Sequence, residues 1–262
     1  MEKQIILQAE NVSIGYSGKK SDTVIASGIN LKLRKGSLIS LVGANGIGKS
    51  TLLRTLTGIQ KPLSGTIDLD GKNVTNYSSA ELATKLSLVL TEKLPPGNLT
   101  VYELIALGRQ PYTNWIGTLT DNDRMMVDHA LKITDISQFA SKKHYELSDG
   151  QLQKVLVARA VAQDTNFMVL DEPTTHLDLQ NKFALFRLLK MLAEESGKCI
   201  LFSTHDIEPA IQLSDEMIVM LPGTAEQGFP KKFIDNGIFD RLFPDNSIIF
   251  DPEKVKFVFK GL

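Results

Sequence analysis

"GANGIGKST", residues 43–51, is the stretch on which the fold turns. Its spacing is G-x-x-x-x-G-K-[ST], and it lies between "SLISLV" (37–42) and "STLLRTLTGI" (50–59). The first neighbour is a near-continuous apolar run, the pattern of a strand buried on both faces. The second has helical spacing. Strand, glycine-rich turn and helix together make a phosphate cradle. Gly43, Gly46 and Gly48 let backbone N–H groups converge on phosphate oxygens. Lys49 adds a cation near the β- and γ-phosphates, and Ser50 offers a hydroxyl to Mg²⁺. The helix turns its positive end to the same place. The loop predicts a nucleoside triphosphate site, with ATP and GTP both open.

Two further strand ends complete the expected chemistry. "FMVLDEP" (167–173) is a buried strand that delivers Asp171 to its C-terminal end, where α/β sheets bind ligands. Asp171 there can hold Mg²⁺, and Glu172 can act as general base on an attacking water. "CILFSTHD" (199–206) repeats the geometry and brings His205 toward the γ-phosphate. Elsewhere, "ELSDGQLQKV" (146–155) reads as a helix start. Ser148 is the N-cap and Gln151 completes a capping box. Gly150 in the first turn weakens a helix, but a bare backbone at a helix N-terminus also suits an anion.

The remaining pattern is α/β. Residues 5–16 and 29–34 alternate as half-buried antiparallel strands, with Ile29, Leu31 and Leu33 on one face. "GTIDLDGKNV" reads as a hairpin turning near Asp70-Gly71. From about 92 to 165 helical patterns dominate, as expected of a helical lobe inserted in a sheet lobe. "LQNKFALFRLLKMLAEES" carries an apolar stripe through Leu179, Phe183, Phe186, Leu189 and Ala193, with Gly197 as C-cap. "CILFS" and "EMIVML" are two more buried strands. "SIIFDPEKVKFVF" is read as a final hairpin around Asp251-Pro252.

The 262 residues suit one large domain or two connected lobes. A net charge of −1 gives no reason to expect a nucleic-acid partner. The single cysteine, Cys199, cannot form an internal disulfide and is expected to be a buried thiol, which fits a cytosolic protein. No apolar run approaches the roughly 18 residues that span a bilayer, so membrane association must go through a partner or a surface patch.

Taken together, the motifs resemble an ABC-type ATPase, the nucleotide-binding subunit of a transporter. "GANGIGKST" resembles its Walker A motif, "ELSDGQLQKVLVARAVAQ" its signature, "FMVLDEP" its Walker B motif, "TTHLD" (174–178) its D-loop and "STHD" (203–206) its H-switch. The resemblance implies a P-loop fold of ABC type spanning 1–262. Its mixed sheet core carries an antiparallel β subdomain and an inserted helical subdomain. The sheet lobe would take 1–91 and 166–222, the helical lobe 92–165, and a C-terminal extension 223–262. It implies ATP with Mg²⁺, held by Gly43, Ala44, Asn45, Gly46, Ile47, Gly48, Lys49, Ser50 and Thr51. Tyr16 would stack on adenine, and Asp171 with Ser50 would organise the metal. Glu172 would polarise the water and His205 would clamp it. Ser148, Gly150 and Gln151 would reach the γ-phosphate of an opposite subunit, with Asp149 pointing away. Asp178 would communicate across an ATP-dependent head-to-tail dimer.

The implied partners are a second copy, a membrane permease and, indirectly, an extracytoplasmic substrate-binding protein. The implied place is the cytoplasmic face of the membrane, through the permease. "LTVYELIALGRQPYTNW" (99–115), "LSDGQ" and "TTHLD" with His176 are similar to importers of ferric siderophores, haem or cobalamin. The family's Q-loop glutamine aligns with Glu92, so Glu92 is expected to sense the metal in its place. A P-loop kinase would not need the "LSDGQ" helix, and Glu172 and His205 argue against a non-hydrolysing nucleotide-binding module. A soluble ABC ATPase of DNA repair or translation is the main alternative. Relatives of that class carry a long coiled coil or a second cassette, and neither is visible.

Overall fold

The computed structural model describes residues 3–19, 21–90, 97–175, 177–242 and 248–260. The chain begins with two long antiparallel strands, β1 (Ile5–Tyr16) and β2 (Thr23–Arg34), then β3 (Ser37–Val42) and helix α1 (Lys49–Leu56). β4 (Ser64–Leu69), β5 (Lys72–Asn73), α2 (Ser79–Ala83) and β6 (Leu86–Val89) follow. The helical lobe holds α3 (Val101–Ala106), α4 (Asp121–Ile133) and α5 (Asp149–Ala162). β7 (Phe167–Leu170), α6 (Leu179–Ser196), β8 (Cys199–Ser203), α7 (Ile207–Leu213) and β9 (Glu216–Leu221) return to the sheet. The end of the chain adds β10 (Thr224–Gly228), α8 (Pro230–Asp235), β11 (Ile248–Asp251) and β12 (Lys256–Phe259).

Among the described residues, one sheet runs β10-β9-β3-β8-β7-β6, parallel except for β10, and a second, antiparallel, runs β2-β1-β4-β5. Alternation places successive side chains of the parallel strands in different layers. Met168 and Leu170 face α5 and α6, while Phe167 and Val169 join Leu52, Leu53 and Leu56 of α1 and the antiparallel sheet. That double burial is why these strands read as unbroken apolar runs. A third cluster joins β9, α7 and the C-terminal segment through Phe233, Phe239 and Phe250. The 70–71 turn has both residues at positive φ, 50° and 76°, as a two-residue hairpin requires. The expected hairpin around Asp251-Pro252 is present as β11–β12.

Two expectations need correction. Thr224–Gly228, read as part of the C-terminal extension, is the antiparallel edge strand of the main sheet, paired with β9 from Thr224↔Leu221. The α6 stripe is buried only from its middle onward. Leu185, Phe186, Leu188, Leu189, Leu192 and Ala193 are covered, but Leu179 is 70% exposed and Phe183 is also exposed. Phe186 is where the helix meets the sheet, its ring 5.5 Å from that of Phe202. Helical period fixes the face of a residue, not the point at which the sheet beneath it ends.

The helical lobe is fastened by a buried polar cluster in the "GRQPY" turn after α3. Arg109 Nε donates to Asp123 of α4 at 2.8 Å, and its guanidinium also donates to the Ala162 carbonyl at 2.7 Å. Asp123 accepts in turn from Thr120, closing the capping box of α4. A Cβ on Gly108 would lie 2.2 Å from the Arg159 carbonyl oxygen, so only glycine lets this turn approach α5. At the same C-terminal end of α5, the Gln163 amide donates to the carbonyls of both Ala83 and Leu86, at 2.6 and 2.9 Å. One side chain thereby ties the helical lobe to the sheet lobe.

Candidate functional site

β3 ends at Val42 and the loop 43–48 carries the chain into α1. The N-cap is Gly48, at φ 111°, and a Cβ there would sit 2.5 Å from Ile25. A side chain would block both the backbone conformation and the packing. Ala44, Asn45 and Gly46 are exposed, and Ile47 packs partly on the core below. Lys49, 5% exposed, donates to the carbonyls of Gly43 and Ala44 at 3.1 and 3.3 Å. Its ammonium is therefore held beneath the loop rather than free in solvent. Tyr16, at the end of β1, is 55% exposed, and its hydroxyl lies 3.2 Å from Thr51 Oγ1. The aromatic ring thus stands beside the first turn of α1.

β7 and β8 are parallel neighbours, so their C-terminal ends meet. The Asp171 N–H continues the pairing to the Val89 carbonyl at 2.8 Å, which fixes its carboxylate at the strand end. Ser203, the last residue of β8, then makes two contacts with one buried hydroxyl. It donates to Asp171 Oδ1 at 2.6 Å and accepts from the Glu172 N–H at 2.8 Å. Glu172 has φ 45°, a left-handed conformation that costs a non-glycine residue of order 1–3 kcal/mol. Ser203 offsets part of that strain. In the sequence Ser203 stands out only as the first residue of "STHD". Its strand-end position, level with Asp171, was the signal available.

The Glu172 carboxylate stands between two other expected residues. Oε1 is 3.7 Å from Lys49 Nζ and Oε2 is 3.9 Å from His205 Nδ1. Thr175 Oγ1 donates to Oε2 at 3.4 Å. The ends of β3, β7 and β8 thus bring Lys49, Ser50, Asp171, Glu172 and His205 to one edge of the sheet. Among the described residues, no group of three or more His, Cys, Asp or Glu is placed to hold a metal ion. The donor set that is present, one hydroxyl and one buried carboxylate, fits Mg²⁺ sharing phosphate and water ligands, not a metal caged by protein.

Ser148 caps α5 as expected, with the reciprocal bonds to Gln151. Gly150 has a reason that spacing did not reveal. It is buried, and a Cβ would lie 2.9 Å from Asn181 Cγ of α6. Asp178 caps α6, accepting from the Asn181 N–H at 2.8 Å and the Asn181 amide at 3.0 Å. Ser148 and Asp149 face solvent. Glu92 and His176 lie outside the described residues.

Residues 26–175 match the ABC transporter family. This chain belongs to that family. The Bacillus subtilis iron(3+)-hydroxamate import ATP-binding protein FhuC is 35% identical to this ABC ATPase over 252 residues. That alignment covers 95% of this chain and 92% of the relative. A metal-chelate type ABC transporter solved in an inward-facing conformation superposes with TM-score 0.80 at 26% identity, over 92% of this chain and 90% of that one. The ATP-binding cassette MJ0796, solved as a dimer bound to ADP and Pi, has TM-score 0.74 at 28% identity. It covers 86% of this chain and 99% of that one. Among the described residues of the cassette, no helix is long and apolar enough to cross a membrane.

Proposed function

We propose that this ABC ATPase powers an importer of a ferric chelate, foremost a siderophore complex, working as a pair of identical subunits on a separate membrane permease. The observation that carries the catalytic reading is the Glu172 carboxylate, set between the Lys49 ammonium and the His205 ring. Glu172 takes the proton of the water that attacks the γ-phosphate, and His205 holds that water and the phosphate in line. Lys49 and the N–H groups of 43–50 bind the phosphates. Tyr16 stacks on the base, and its exposed ring beside Thr51 supports this. Ser50 and Asp171 would hold Mg²⁺, which when bound offsets charge on the phosphate oxygens. The exposed Ser148 end of α5, with Gln151, meets the phosphate of the second subunit, and Asp178 lines the same junction.

The cargo class rests on the import relative and the metal-chelate neighbour, which align with nearly the whole chain. The permease is expected in the groove of about 770 Å³ between the lobes. That groove is lined by Ile59, Leu82 and Leu107 among others, and Ile59 and Leu107 are exposed. Docked on that permease, the cassette would sit at the cytoplasmic face of the membrane, with an extracytoplasmic binding protein delivering cargo. Glu92 is proposed as the metal-sensing link between site and permease, and Glu92→Gln tests it through transport-coupled hydrolysis. Glu172→Gln is expected to lower ATP hydrolysis at least a hundredfold while ATP-dependent dimerisation persists. Hydrolysis at the wild-type rate would refute the assignment. Uptake of radiolabelled ferric hydroxamate, haem and cobalamin by cells with and without the protein tests the cargo. Loss of cobalamin uptake alone would overturn the iron reading.

A further inference from the structure

Asp206 follows His205 in the chain, and both of its carboxylate oxygens are engaged. Oδ2 accepts from Thr174 Oγ1 at 2.9 Å, and Oδ1 pairs with Lys182 Nζ at 2.7 Å. The Asp206 N–H donates to Thr204 Oγ1 at 3.0 Å. Thr174 is fully buried and lies two residues beyond Glu172. The side chains of Lys182 and Asp206 are 22% and 19% exposed, so water and salt screen this pair less than a surface pair. Lys182 belongs to the first turn of α6, its N–H on the Asp178 carbonyl at 2.9 Å. The neighbouring Asn181 is held by Asp178 and fills the space against Gly150. One ion pair therefore joins the turn that touches the start of α5 to the loop that carries His205. Thr174 joins that same carboxylate to the segment carrying Glu172.

We propose that Lys182 and Asp206 are positioning residues for hydrolysis, their ion pair locking the His205 loop to the turn of α6 that packs on Gly150. A nucleotide phosphate seated against Ser148–Gln151 then fixes, through Asn181, Lys182 and Asp206, where His205 stands relative to Glu172. This rests on the reading of the chain as an ATPase with that edge of the sheet as its active site. The chemistry is sensitive to such placement, since an error of about 1 Å costs a rate of the order of a hundredfold. Without the lysine, Asp206 keeps only Thr174 and the loop loses one of its two side-chain anchors. Neither Lys182 nor Asp206 touches the reacting atoms, so the effect belongs in turnover and not in nucleotide binding.

The test uses the full-length protein and three variants, Lys182→Met, Lys182→Arg and Glu172→Gln. ATPase kcat and KM, equilibrium ATP binding and the thermal midpoint are measured for each. Lys182→Met keeps the apolar stem and removes the charge. It is expected to lower kcat about tenfold or more, with ATP affinity within twofold and the midpoint within a few degrees of wild type. Lys182→Arg, which can still reach Asp206, is expected to restore kcat to within about threefold. A wild-type kcat in Lys182→Met overturns the proposal, as does a Lys182→Arg variant equally impaired. A loss of turnover that merely tracks lost ATP binding or a lowered midpoint also overturns it. If Glu172→Gln is inactive while Lys182→Met is wild type, the ion pair alone fails. If Glu172→Gln turns over normally, the ATPase reading fails and takes this proposal with it.

Discussion

Replacing Asp123 with asparagine should unfold the helical lobe at a markedly lower temperature. The side chains of Arg109 and Asp123 are 5% and 3% exposed, and their contact is 2.8 Å. The substitution keeps shape and volume but removes the negative charge. Arg109 then holds an uncompensated charge in the interior, where its other donation is to the Ala162 carbonyl at 2.7 Å. The asparagine amide cannot accept from both Arg109 and Thr120, so one donor is also left facing a donor. Breaking a buried ion pair from one side costs about 3–5 kcal/mol. At about 2–4 °C per kcal/mol for a chain near this size, the midpoint should fall by about 6–20 °C. Circular dichroism at 222 nm during heating at neutral pH measures it. Replacing both partners with apolar residues, Arg109→Met with Asp123→Leu, should recover more than half of the loss, because no charge is then stranded. A drop of less than about 2 °C for Asp123→Asn, or a double variant worse than the single, would refute the reasoning.

Three further outcomes can be measured, the first on the same carboxylate. The Thr120 hydrogen bonds and the Arg109 guanidinium hold the Asp123 carboxyl below its ordinary range. A depressed folded-state value means that the stabilisation is present above the unfolded value of about 3.9 and is lost as pH falls through the folded one. The midpoint gap between wild type and Asp123→Asn should therefore narrow in acid, and a gap constant from pH 7 down to pH 2 would contradict this. Ser203→Ala removes the hydroxyl shared by Asp171 and the Glu172 N–H, so kcat should fall about tenfold or more. ATP binding measured without Mg²⁺ should stay unchanged, and equal kcat would remove Ser203 from the machinery. Burial pushes the Cys199 thiol far up from its ordinary range, so maleimide should label it only after unfolding, and fast native labelling would disprove its burial.

The features legible in the sequence were local ones. The loop 43–51, the capping box at Ser148 and the hairpin at Asp70-Gly71 each fit within a few residues, where backbone stereochemistry alone limits the choices. The buried strands were legible because double burial leaves no polar positions. What stayed hidden depends on strands and helices that meet from far apart in the chain. Ser203 meets Asp171 only because β8 lies beside β7, an order that no residue announces. The Lys182–Asp206 pair joins two elements 24 residues apart. Arg109 entered only within the resemblance of residues 99–115, because an ion pair that satisfies a buried charge cannot be read from one partner. β10 was missed because "TAEQG" lacks β-branched residues beyond Thr224, and the edge it fills supplies the pairing that propensity does not.

The Gln163 staple also sets a mechanical ratio. α5 has 14 residues, so its two ends stand about 20 Å apart at 1.5 Å per residue. The end near Gln163 is pinned to Ala83 and Leu86, and the end at Ser148 is the one turned to solvent. Helix α5 is therefore a lever with its fulcrum at the lobe junction. A swing of about 10° at the pinned end carries the Ser148 tip by roughly 3–4 Å at that rise per residue, more than the length of a hydrogen bond. A small tilt imposed near the groove by a docked partner would thus be enough to make or break every contact of that tip.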